Sequence, residues 1–162
     1  MTQPQCKDVL HDFIGPSFSK YNNYGDFLIL IHLSILIGAA ALGQIPCGVL
    51  KKSSVIVLFL LCIRLFMILT TSCRLSGCYN KTRTVLSHTE NDNWYILSGH
   101  TIVTLCITIT LWNSHLQLGW KYISVVLSVL VCFFQASARE HYTVDILVSS
   151  FLVYLAYVGY IY

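Results

Sequence analysis

The sequence predicts an all-α integral membrane bundle of about five transmembrane helices, and two observations carry that reading. Of its 162 residues, 56% are hydrophobic and only 10% are charged, whereas a soluble domain has about a quarter of its residues charged. The apolar residues are also gathered into five runs, each long enough for a hydrocarbon core of about 30 Å, with short polar pieces between them. The mean hydropathy of +0.67 agrees.

Taken in order, residues 1–26 form a polar, weakly amphipathic tail in which Val9, Leu10, Phe13, Ile14 and Phe18 suit a membrane surface. Pro4, Lys7, Asp8, Asp12 and Pro16 in that tail exclude a cleavable secretory signal, so insertion is expected to rely on the first span. The membrane domain then occupies 27–162. Its first span is expected from 27 to about 50, interrupted by His32, Ser34, Gln44 and Pro46, with Lys51-Lys52-Ser53-Ser54 as a short basic turn. The second, 55–71, carries Arg64 at its centre, where a charge costs about 2.5–3.5 kcal/mol on insertion scales and is expected to face the bundle interior. A polar loop over 73–93 follows. The third span, 94–112, is bracketed by Trp94 and Trp112 as interfacial belts are. A turn at 113–119, a fourth span from 120 to about 136 and a fifth over 142–162 complete the chain.

Several function classes fall away. The net charge of +3 is small and no basic tract exists, so nucleic acid is not a partner. Cys47, Cys62, Cys106 and Cys132 lie in or beside apolar runs and read as small hydrophobes; no CxxC or His/Cys cluster points to a metal. Cys73 and Cys78 sit close together in the polar loop, placed for a disulfide if that loop meets an oxidising lumen. Orientation is contested. Lys7, Lys20, Arg74, Lys81, Arg83 and Arg139 outnumber Lys51, Lys52 and Lys121 on the other side, which makes the tail side cytoplasmic. The sequon Asn80-Lys81-Thr82 makes the same side lumenal.

The chemistry gathers at the tail side. In Glu140-His141-Tyr142-Thr143-Val144-Asp145, His141 and Asp145 are four residues apart, one helical turn on one face. A carboxylate there fixes the imidazole tautomer and leaves the second nitrogen for chemistry. The plainer reading is an interfacial histidine and an Asp favoured by the helix dipole. Ser98-Gly99-His100-Thr101 opens the third span, and alternating crossings bring it to the same surface as His141. Two histidines at helix N-termini, which favour anions, with Gly99 permitting phosphate to approach the backbone, match the needs of phosphoryl transfer. Arg64 either binds phosphate or pairs with a buried carbonyl or carboxylate. Arg139 can reach a phosphate, although a snorkelling interfacial Arg is the commoner case. His11, His32, His88 and His115 read as ordinary polar or packing residues.

Together, Ser98-Gly99-His100-Thr101 and His141-Tyr142-Thr143-Val144-Asp145 resemble the two signature blocks of the sphingomyelin synthase family, a branch of the phosphatidic acid phosphatase type 2 superfamily. Arg64 with Thr70-Thr71 resembles the block in its preceding helix. Family members have six spans against the five here, and Asn91-Asp92-Asn93-Trp94 stands where Cys-Gly-Asp is usual. The resemblance implies a transferase that moves a phosphocholine-type head group from a glycerophospholipid to ceramide. His141 would be the nucleophile, Asp145 its orienting carboxylate and His100 the acid and then the base. Arg64, Ser98, Gly99 and Arg139 would bind substrate, with no metal or organic cofactor. It further implies a multi-pass protein of the Golgi, endoplasmic reticulum or plasma membrane, with its site facing the lumen or exterior. The alternatives are a hydrolase of the same superfamily or an inactive scaffold.

Overall fold

The computed structural model describes residues 22–70, 73–74, 93–94, 97–137 and 143–159. Among them are five α-helices: α1 (Asn22–Ala41), α2 (Cys47–Thr70), α3 (Gly99–Trp112), α4 (Leu118–Ser137) and α5 (Thr143–Gly159). The all-α expectation holds. By length and composition two stretches, Asn23–Ala41 and Leu118–Ser137, are long and apolar enough to cross a membrane. Between α2 and α3 a short antiparallel pair, β1 (Cys73–Arg74) and β2 (Asn93–Trp94), sets Cys73 opposite Trp94. Cys78 and Asn80 of the expected disulfide and sequon lie outside the described residues, as does the tail before 22.

Caps move the expected boundaries. The first helix stops at Ala41 rather than near residue 50, because Gly43 takes a left-handed conformation at φ 67. Its N–H donates to the Ala40 carbonyl, and that of Gln44 donates to the Ala39 carbonyl, the paired bonds of a Schellman stop. Pro46 stands just before α2, its carbonyl accepting the first helical bond, from Leu50 N–H at 3.1 Å. Lys51 and Lys52 are therefore helical, not a turn. The third helix begins at Gly99 and not at Trp94, since Ser98 is its N-cap, accepting from Thr101 N–H at 3.3 Å.

Helix α3 is the hub and packs against each of the other four. On one side, Ile56 and Leu60 of α2, Ile102 and Cys106 of α3, and Val153 and Tyr157 of α5 form an apolar core. On the other, α3 meets α4 through hydroxyls, and α1 joins them along buried Gly25, His32 and Ala39, seven residues apart. His32 is 0% exposed, its Nδ1 2.9 Å from Thr104 Oγ1 and its Nε2 2.6 Å from Ser124 Oγ. Thr108 and Ser128 extend that network. Large apolar residues such as Phe27, Leu58, Phe66, Val129 and Phe151 instead face outward. An apolar exterior around a hydroxyl-rich interior suits a lipid solvent, where packing and interhelical hydrogen bonds hold helices together.

The helices alternate in direction. His115 N–H donates to the Gln44 carbonyl at 2.8 Å, fastening the α3–α4 turn to the α1–α2 turn at one end. At the other end the starts of α1, α3 and α5 meet the finishes of α2 and α4, and the candidate residues collect there.

Candidate active site

Ser98 anchors this end. Its side chain caps α3, and its own N–H donates to Ser149 Oγ of α5 at 2.8 Å. Ser149 lies one turn beyond Asp145, and both belong to the buried face of α5 at 145, 149, 153 and 157. The bond to Ser149 therefore turns the Asp145 face toward the start of α3. Asp145 is 5% exposed in the first turn of α5, where the positive end of the helix dipole favours a carboxylate.

Arg64 crosses from α2 to the same place. Its Nε donates to the Leu97 carbonyl at 3.1 Å, one of the roles left open by the sequence. Its guanidinium lies against the backbone of Gly99, so that a Cβ on Gly99 would fall on Nη1. The room beside Gly99, expected to receive a phosphate, is thus occupied by the cation that would meet one.

His100 follows in the first turn of α3. Its Nε2–H donates to Asp26 Oδ1 of α1 at 2.9 Å, both side chains being about a third exposed. Asp26, expected in the tail, lies in α1 instead, and its carboxylate fixes the tautomer of His100 as Asp145 is expected to do for His141. The sequence held a signal for it: an acid at the edge of an apolar run, on the side that alternation assigns to His100. Ser149 gave none, because a serine inside an apolar helix is ordinary.

The structure thus brings together Arg64, Ser98, Gly99 and His100, and adds Asp26; Ser149 ties the face of Asp145 to them. Arg139 and His141 lie outside the described residues. Chemically this end offers an oriented imidazole, a guanidinium and a capped helix N-terminus, a combination suited to holding a phosphate and moving a proton beside it. No candidate metal cluster occurs among the described residues.

Residues 93–162 match the family model for the PAP2 superfamily C-terminal domain. The matched stretch takes in α3, α4 and α5 with His100, His141 and Asp145, and leaves α1 and α2, with Asp26 and Arg64, outside it. The match is at the level of the superfamily and does not single out the sphingomyelin synthase branch. No curated protein and no solved structure matches the chain.

Proposed function

We propose that this protein belongs to the PAP2 superfamily and breaks a phosphoester bond of a membrane lipid at the end where α1, α3 and α5 begin. The observation that carries the proposal is His100, at a helix start inside the superfamily match, held by Asp26 of α1 and next in sequence to Gly99, where Arg64 of α2 rests against the backbone. His141 attacks phosphorus, forming a P–N bond as the P–O bond to the lipid breaks, and His100 gives its proton to the departing oxygen. Asp145 orients His141, while Arg64 and the N-terminus of α3 balance the phosphoryl charge. An acceptor hydroxyl then gives its proton to His100, attacks phosphorus and releases His141.

A superfamily-level match supports water as that acceptor, which makes the protein a lipid phosphate hydrolase. The residues His141-Tyr142-Thr143-Val144-Asp145 favour the finer reading, ceramide as acceptor and a transferase. One experiment addresses both. Purified protein is given a glycerophospholipid labelled in its head group, with and without ceramide. An acid-labile labelled adduct that vanishes in His141→Ala is expected. Free head-group phosphate identifies the hydrolase and a labelled sphingolipid the transferase. Normal turnover by His141→Ala would sink the proposal.

A further inference from the structure

Gln135, in the last turn of α4, is 1% exposed, and its Oε1 has no hydrogen-bond partner among the described residues. A buried amide oxygen without a donor costs about 1–3 kcal/mol, so such a group calls for a reason. Its position supplies one. The carboxamide reaches α1 at Gly25, where an added Cβ would come within 2.9 Å of Nε2, so the two helices approach closely there. The next residue is Asp26, which holds His100. Tyr24 stacks on Phe134 at 5.8 Å between ring centroids, fastening the same two helix ends.

We propose that Gln135 is a lipid-binding residue, its carboxamide oxygen accepting a hydrogen bond from an uncharged donor at the polar end of the lipid that enters beside Asp26 and His100. The proposal deepens the reading of this end as a lipid site and rests on it. The chemistry of the partner follows from the atom left over. An acceptor repels phosphate oxygens, and an ammonium would lose too much hydration at so buried a place. A hydroxyl or an amide N–H fits. Ceramide offers both, diacylglycerol only a hydroxyl, and triacylglycerol neither.

The test compares wild type with Gln135→Met in detergent, using short-chain versions of these three lipids and following thermal unfolding against lipid concentration. Replacing an unpartnered amide by an apolar side chain of similar size should leave the lipid-free melting temperature unchanged or raised. Affinity for a donor lipid should fall about five- to tenfold, the worth of one hydrogen bond, while triacylglycerol is unaffected. Loss for ceramide alone identifies the amide as the source, and loss for both donor lipids the hydroxyl. An equal loss for triacylglycerol, no loss at all, no binding by wild type, or a lowered lipid-free melting temperature would overturn the proposal. If the Met variant does not accumulate, Gln135→Leu replaces it, and failure of both also overturns it. Phosphohistidine formation by the wild-type preparation reads the proposed chemistry separately, so a failure of that chemistry is told apart from a failure of the Gln135 contact.

Discussion

Gly99 has no side chain, and Arg64 uses the room. In Gly99→Ala the new methyl meets the far end of a flexible side chain, which can swing aside at little cost to folding. The variant should therefore accumulate and unfold as wild type does, yet turn over lipid at least tenfold more slowly because the guanidinium has moved. Adding Gly99→Ala to Arg64→Ala should cost almost nothing more; full additivity in that double-mutant cycle would show that the glycine acts by another route. Asp26 makes a second case. Asp26→Asn keeps the shape of the contact with His100 but not its charge, and a loss of about ten- to a hundredfold in turnover with unchanged thermal stability is expected. Activity equal to wild type would reduce the pair to a surface contact.

At the scale of the helix, α1 is held by its buried face more than by its apolar one. His32→Leu removes two interhelical contacts but leaves Thr104 and Ser124 their bonds to Ser128 and Thr108. The expected cost is about 1 kcal/mol in detergent unfolding. Ser124→Ala in that background should add less than it does alone, and strict additivity would argue against the network. This face also explains what was legible in the sequence. The five apolar runs announce five helices because an exterior as apolar as the interior leaves no polar face to interrupt them. Helix ends depend on single residues: Gly43 at positive φ and the Ser98 cap moved two boundaries that hydropathy could not locate. The site was legible where local spacing or alternation sufficed, as with His100 and the Asp145 face. Asp26, Ser149 and Gln135 needed the packing of α1, α4 and α5 against one another, which no local pattern records.

For the whole molecule, alternation implies sidedness. In a cysteine-free background, Asn23→Cys and Lys51→Cys should react with an impermeant thiol reagent from opposite faces of a sealed vesicle; labelling of both from one face would contradict the arrangement of the bundle. The hub helix adds a matter of depth. Helix α3 has 14 residues, about 21 Å at 1.5 Å per residue, against a hydrocarbon thickness of about 30 Å. If the expected bundle spans a membrane with Trp112 at one interface, the other end of α3 stops several ångströms short of the opposite one. The Asp26–His100 pair would then lie at the bottom of a well, below the level of the head groups around it. On the proposed function, the lipid's phosphate would have to sink to meet it, or the membrane to thin and bring it down. Turnover should accordingly rise in vesicles of shorter acyl chains and fall in thicker ones, at equal surface concentration of substrate. The bilayer itself would then set how far the reacting bond has to travel.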